Sequence, residues 1–449
     1  MSRANVVSFR RAAPWWTAAA AGRLEIDGGV PLRGEIAVAG AKNAALPLMV
    51  CAALTDERLI LRNLPRILDV AILAGILAEL GVEVSWNDGM GDESGPALSG
   101  TLGGAGFGTG RVDSALVARM RASFLIAGAA LARLGRIALP LPGGDAIGLR
   151  PVDFHLAGFR QMGATAEIEG GEVVLSAPGG LRGAAIVLPF PSVGATQNLM
   201  LAATLARGET SITNAAREPE VTDLARCLAA MGARIEGIGT DTLHIAGVDR
   251  LHGATYDVLP DRIELGTLVC AAAATGGELR LAGASTELLS AALPVFEAAG
   301  IEIATEGGAV IARRGAGGLV GVDIMTQPYP GFATDLQPQA MALLSCAEGA
   351  AMVTETLFEN RFRHVPELQR MGANIRVVRN HAVIRGVPAL HGAEVTATDI
   401  RAGAALLIAA LGARGTSTLH GVEHVDRGYD SLVDRLRRCG ARIRRVDIP

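Results

Sequence analysis

The sequence predicts an α/β protein of two lobes, each built from three helix–strand repeats, and three observations carry that prediction. A phrase made of an amphipathic helix, a Gly and a short β-prone run recurs six times: LAELGVEV, FRQMGATAEI, LAAMGARIEG, FEAAGIEIA, LQRMGANIRV and LRRCGARIRR. Between the copies stands a second helix rich in small residues, as in NAALPLMVCAAL, ATQNLMLAATLA and RAGAALLIAALGA, followed by a run such as SITNA, ELRLAG or STLHGV. The chain has 449 residues, and a single hydrophobic core of that size is rarely seen.

The elements follow in order from these phrases. The repeat glycines are Gly81, Gly163, Gly232, Gly300, Gly372 and Gly440, spaced 68 to 82 residues apart. Gly just past a helix is the residue that most easily makes the left-handed turn ending it. The unit is therefore helix, strand, helix, Gly turn and strands. Its period exceeds that of the common solenoids, so small α/β subdomains are expected. The longer first interval holds DGMGDESGPALSGTLGGAGFGTG, which reads as a surface-loop insertion. Two lobes imply a cleft for a small molecule.

Composition removes several function classes. Net charge is −4 with well-mixed signs, which argues against a nucleic-acid grip. Aromatics make up only 4%, so stacking platforms for bases are not expected. No apolar run reaches the roughly 18–20 residues of a membrane span, and no membrane insertion is expected. Five widely spaced cysteines (Cys51, Cys227, Cys270, Cys346 and Cys439), without CxxC or metal-like pairing, read as reduced thiols of a cytoplasmic protein. Residues 1–22 precede the first patterned segment. Their short alanine run after Pro14 makes a poor signal peptide, so they read as a disordered extension.

Lys42 is the only lysine among 41 basic residues. A bias towards Arg, Ala and Gly replaces lysine wherever the two cations are interchangeable, so a survivor marks a place where they are not. Lys42 lies in AGAKNAALP at a helix start, where backbone N–H groups already favour an anion. The bland alternative is a chance survivor on an exposed turn. The loop LPLPGGDAIGLRPVDFH carries Asp145 at its tip and Arg150 at its base, candidates for acid chemistry and anion binding, although a Gly-rich loop with an Asp is commonly a plain turn. Arg121, Arg361, Arg401 and Arg427 sit at repeat junctions and suggest a cationic cluster. Ser192 and Thr334 precede apolar helices and are equally N-caps. Asp335, at a helix N-terminus, suits either a cap or a base. No Ser-His-Asp set, Walker loop or HExxH appears, and His155, His364 and His424 read as structural rather than as metal ligands.

Read together, GAKNAALP, MRAS, LPGGxxIGxRPVD, SVGAT, AAREPE, LPDRIExGT, TDLQ, TETxFENRFxHVPEL, TDxRA and DRGY occur in one order, and over residues 23–449 the chain resembles the family of UDP-N-acetylglucosamine 1-carboxyvinyltransferases. A sister family makes 5-enolpyruvylshikimate 3-phosphate but lacks this string of phrases. The resemblance implies the enolpyruvyl transferase fold: two lobes, each an inside-out α/β barrel of three repeats. It places residues 23–41 plus 260–449 in one lobe and 42–259 in the other. It implies phosphoenolpyruvate and UDP-N-acetylglucosamine as substrates, with no cofactor and no metal.

The resemblance also assigns roles. Lys42 holds phosphoenolpyruvate, aided by Asn43. Arg121, Arg150, Arg401 and Arg427 surround the phosphate, carboxylate and sugar diphosphate. The stretch Arg150, Pro151, Val152, Asp153 and Phe154 is the uridine-binding turn. Ser192, Val193, Gly194, Leu357 and Phe358 contact the UDP-sugar, and Asp335 stands beside the sugar 3-hydroxyl. The implied chemistry is addition then elimination: the 3-hydroxyl attacks C2 of phosphoenolpyruvate while C3 is protonated, giving a tetrahedral ketal. Loss of a proton from C3 and of phosphate from C2 then regenerates the vinyl ether. Asp335 is the expected base and Asp145 the expected acid.

Two departures stand out. Some relatives carry a lysine where this chain has Phe190. More importantly, Asp145 occupies the loop position of the family's usual cysteine. An ordinary carboxyl titrates near about 3.9 and an ordinary thiol near about 8.5. A carboxyl there carries a proton at neutral pH only where shielding and the substrate's negative charge keep it neutral. Fosfomycin, an epoxide that alkylates the family's thiolate, is expected to fail against a carboxylate. Two other readings stay open: an enolpyruvyl transferase paralogue with another acceptor, and a catalytically silent UDP-sugar sensor.

Overall fold

The computed structural model describes residues 22–87, 98–108, 112, 114–118, 120–143, 145, 147–148 and 151–447. Of the Gly-rich insertion, 88–97 and 109–110 lie outside the described residues, as do Arg150 and most of the N-terminal extension. Its middle is not the surface loop expected: Leu98–Gly103 is a largely buried strand between Arg58–Leu64 and Glu83–Asn87, pairing antiparallel with both. Gly22, read from sequence as extension, is instead the first residue of the strand Gly22–Asp27.

The chain divides into two compact units. One comprises 40–144 and 150–259, and the other 22–39, 145–149 and 260–447. Each unit has its own hydrophobic core.

Helices are central in each unit and sheets lie outside them. In the second unit the helices Arg262–Thr275, Gln337–Leu344 and Ile400–Gly412 pack on one another. All of Arg262–Thr275 except Ala274 is buried, and a helix apolar on every side belongs to the interior. Small side chains permit this close association: Gly266 has no room for a Cβ, which would meet Leu336 Cδ2 at 2.6 Å. The strands, in contrast, bury alternate residues, so one sheet face covers the helices and the other faces solvent. Arg58–Leu64 and Thr416–His420 show this alternation.

One complete repeat shows the plan. Ala185–Val187 and Glu209–Thr213 are parallel strands joined through the helix Val193–Ala203. The helix Pro219–Ala230 then ends at Gly232, and Arg234–Glu236 pairs antiparallel with Thr242–Ala246, which pairs with Glu209–Thr213. The sheet order places Thr242–Ala246 inside the sheet. The C-terminal repeat has the same plan with one substitution. Glu394–Thr396, Thr416–His420 and Arg442–Asp447 come from the end of the chain, and Gly22–Asp27 from its beginning fills the inner strand position. Among the described residues the repeats build five four-stranded sheets and one three-stranded sheet.

All six repeat glycines have φ between +87° and +98°, the left-handed region that a side chain strains. At five of them the helix ends alike. The residue after Gly donates to the carbonyl five positions back, as in Val82 to Leu77, Ala233 to Leu228 and Ala441 to Leu436. This is the Schellman arrangement.

Candidate active site

The site residues expected from sequence fall into two sets, one in each unit. In the first unit, Lys42 opens the helix Lys42–Val50. The preceding Ala41 offers no side-chain cap, so the first backbone N–H groups are left for other acceptors. Gly40 is required there, because a Cβ would stand 1.7 Å from the Asn63 carbonyl oxygen. Lys42 Nζ lies 2.7 Å from Asp69 Oδ2, and Asp69 is 1% exposed in the first turn of the helix Leu68–Glu79, which is buried from Asp69 to Leu77. A buried carboxylate thus orients the lone lysine, while Asn43 beside it is half-buried.

The uridine turn expected at 150–154 has its described part in the same unit. Arg121 Nη2 donates to the Pro151 carbonyl at 2.7 Å. Val152 is buried, Phe154 half-buried, and Asp153 is exposed at the start of the helix Asp153–Gln161. Ser192 caps the helix Val193–Ala203 by accepting from the Ala195 N–H at 3.4 Å, so its capping role is real. Thr334 is different: its hydroxyl donates to Glu355 Oε2 at 3.0 Å and caps nothing.

In the second unit, Asp335 lies in the short turn Thr334–Leu336 ahead of the helix Gln337–Leu344. Its two oxygens take different arginines. Oδ1 accepts from Arg361 Nη2 at 2.7 Å and Oδ2 from Arg401 Nη2 at 2.9 Å. The arginine side chains are 2% and 5% exposed, whereas Asp335 is 28% exposed. Two buried cations therefore hold a carboxylate that still reaches the surface. Burial opposes the charge on Arg401, but Asp335, Tyr429 and Asp261 outweigh it and leave its pKa above the usual arginine range. The Arg401 guanidinium also lies 5.6 Å from the Tyr429 ring centroid, and the Tyr429 hydroxyl is met by Thr267 and Gln339.

Asp145, Ile147 and Gly148 group with the second unit. Arg427 Nη1 donates to Asp145 Oδ1 at 2.8 Å, with both side chains 17% exposed. Asn360 N–H donates to the Ile147 carbonyl at 3.0 Å. Gly148, at φ +148°, leaves no space for a Cβ against Glu359 Oε2. Asp145 is thus paired with one of the arginines expected around the phosphate, carboxylate and sugar diphosphate.

Sequence reasoning missed Glu355. Its Oε1 accepts from the Thr326 hydroxyl at 2.8 Å and from the backbone N–H groups of Leu357 and Phe358 at 2.9 and 3.3 Å. This buried carboxylate shapes the turn that presents Leu357 and Phe358. Its place in TETxFENRF was the only signal. His364 is buried as expected, and burial pushes its pKa down to about 4. Among the described residues no group of three His, Cys, Asp or Glu side chains could hold a metal ion, and no helix is long and apolar enough to cross a membrane.

Comparison with known proteins agrees with this arrangement. The protein-family model for EPSP synthase (3-phosphoshikimate 1-carboxyvinyltransferase) matches residues 26–436. UDP-N-acetylglucosamine 1-carboxyvinyltransferase of Gluconacetobacter diazotrophicus is 54% identical over 424 residues, covering 94% of this chain and 99% of that protein. The protein of the same name from Paramagnetospirillum magneticum is 51% identical over 426 residues, covering 94% and 98%. Among solved structures, the enolpyruvyl transferase NikO from Streptomyces tendae superposes with a TM-score of 0.83 at 26% identity, covering 96% of this chain and all of that one. EPSP synthase from Acinetobacter baumannii, at 21% identity over 95% of this chain and all of that one, shares the fold with a TM-score of 0.72. The chain belongs to the family of UDP-N-acetylglucosamine 1-carboxyvinyltransferases.

Proposed function

We propose that this chain transfers the enolpyruvyl group of phosphoenolpyruvate to the 3-hydroxyl of UDP-N-acetylglucosamine and releases phosphate, the first committed step of peptidoglycan biosynthesis. The observation that carries the reading is Asp335, a partly exposed carboxylate whose two oxygens are fixed by the buried Arg361 and Arg401. Such a group has one orientation in which to receive a hydroxyl proton, and its buried cations bias the surroundings towards anions.

In this reading Asp335 draws the proton from the sugar 3-hydroxyl as its oxygen attacks C2 of phosphoenolpyruvate. Lys42, oriented by Asp69 and assisted by Asn43, takes the substrate phosphate. Arg427, with Arg121, Arg150 and Arg401, meets the remaining negative charge. Asp145, after taking up a proton, delivers it to C3 to give a tetrahedral ketal, and loss of a proton from C3 with departure of phosphate from C2 then forms the vinyl ether. Since Arg427 donates to Asp145 in the structure, that delivery requires the pair to open, and a substrate anion competing for Arg427 would open it. Pro151, Val152, Asp153, Phe154, Ser192, Val193, Gly194, Leu357 and Phe358 hold the UDP-sugar. The described cysteines are all free thiols, which supports a reducing, cytoplasmic setting.

Mixing the protein with both substrates and following phosphate tests the reading. Release that requires both is expected. Release with other acceptors but not this one would favour a paralogue. UDP-sugar binding without any release would leave only a sensor.

A further inference from the structure

We infer that His155 is a fixed hydrogen-bond donor to the uridine diphosphate part of the substrate, held in that role by the positioning residue Asn198. The inference rests on the function proposed above. Nothing in the sequence set His155 apart from a core histidine.

Asn198 is buried in the helix Val193–Ala203. Its Oδ1 accepts from the Gly128 N–H at 2.7 Å, and its Nδ2 donates to the Phe124 carbonyl at 2.9 Å. One partner can only donate and the other can only accept, so the amide cannot be turned round. Nδ2 also lies 3.0 Å from His155 Nδ1. Facing a donor, that ring nitrogen must accept and carries no proton. The proton of the neutral ring is therefore on Nε2. Burial, and after it the Arg121 guanidinium, pushes the His155 pKa down to about 3, so the ring is neutral at physiological pH. Phe124 packs edge-on at 5.2 Å and 80°, which fixes the ring plane.

The Nε2 edge faces a place suited to an acceptor. A Cβ added to Gly194 would stand 3.4 Å from both Cε1 and Nε2 of His155. Gly194 is the second residue of the eleven-residue helix Val193–Ala203, so the ring lies beside the positive end of that helix. His155 is only 7% exposed, and among the described residues nothing accepts from Nε2. An N–H donor on a mostly buried ring, a helix N-terminus and Arg121 together fit an acceptor oxygen, either on the diphosphate or on the uracil ring. A neutral imidazole at this edge only donates, so the arrangement rejects a ligand that presents a donor here.

Proton–nitrogen NMR of the wild-type protein with labelled histidine reads the tautomer directly. A single neutral Nε2–H ring, unchanged between about pH 8 and 5, is expected, and UDP should shift its Nε2–H resonance. A shift with uridine alone assigns the uracil oxygen; a shift with UDP or pyrophosphate but not uridine assigns the diphosphate. A proton on Nδ1, titration near the ordinary value of about 6.5, or no response to saturating UDP would overturn the inference. His155→Phe keeps the ring packing without the donor and should raise KM for UDP-N-acetylglucosamine roughly ten-fold or more, with KM for phosphoenolpyruvate unchanged. His155→Gln should recover part of the loss, and an unchanged KM in His155→Phe would count against the donor role. The two readings fail separately: a ring that responds to UDP without phosphate release defeats the proposed reaction, whereas release with a silent ring defeats only the role of His155.

Discussion

The polar interiors of the two units solve the same problem by different means. In the first unit a neutral network, Asn198 with Gly128, Phe124 and His155, places one N–H donor through single hydrogen bonds to backbone. In the second, an ionic network of Asp335, Arg361, Arg401 and Tyr429 places one carboxylate through charge-assisted bonds from two buried cations. The neutral design avoids the desolvation of full charges and defines a tautomer. The ionic design defines an orientation and concentrates positive charge, but each member depends on the others to offset its burial. Removing one member should therefore hurt the second unit more than the first.

The largest effect is expected from Arg401→Leu. It leaves Asp335 with half its support and strips Tyr429 of a partner, at a cost of about 3–5 kcal/mol in denaturant unfolding and with nearly complete loss of turnover. A loss below about 1 kcal/mol would erase the contrast. Next comes Lys42→Arg in the ionic exception of the first unit. The charge is kept, but a planar fork replaces the compact ammonium that Asp69 holds at 2.7 Å, and turnover should fall roughly a hundred-fold. Near-normal kinetics would return Lys42 to chance survival. Asn198→Ala should cost about 2–3 kcal/mol by leaving Gly128 N–H and the Phe124 carbonyl unpaired, while the ionic network keeps its geometry.

The smallest effect is a pH dependence. The folded-state pKa of His155, about 3, lies below its unfolded value, so the stability it carries is present above about pH 6.5 and is lost as pH falls towards 3. Between about pH 6.5 and 5 that loss is roughly 2 kcal/mol, and His155→Phe should lack it. His364 acts in the same direction, with a pKa near 4. Asp223 acts oppositely. Burial outweighs its bonds from Tyr256 and Leu259 and raises it to about 6, so its contribution is present below about pH 4 and is lost as pH rises through 6. Comparing wild type with His155→Phe at each pH isolates the histidine. Identical slopes would sink the neutral-ring account.

What was legible in the sequence was local. Each repeat Gly announces a helix end because the left-handed turn is a property of a few adjacent residues, and the six-fold count and fold class followed. The lone lysine stood out by composition. The inner strand Gly22–Asp27 of the last sheet could not be read, because its neighbours Thr416–His420 and Arg442–Asp447 lie at the far end of the chain. The same holds for Asn198, whose partners are 43, 70 and 74 residues away. Glu355 was missed because its carboxylate serves backbone N–H groups, which leave no trace in residue identity, and the hydroxyls of Thr326 and Thr334, 29 and 21 residues away. Asp335 and Arg401 were singled out by their places at element starts and given roles by the resemblance, but their direct pairing across 66 residues was not legible.

The account's central claim is enolpyruvyl transfer with Asp145 in the place of the family's cysteine, and one measurement addresses it most directly. Phosphate release from phosphoenolpyruvate and UDP-N-acetylglucosamine would be followed with and without fosfomycin for the wild type and for Asp145→Cys. Both proteins should release phosphate, with the wild type indifferent to the drug and Asp145→Cys inactivated progressively, since a thiolate opens the epoxide and a carboxylate is far less nucleophilic. Progressive inactivation of the wild type, or a wild type that releases no phosphate, would contradict the account.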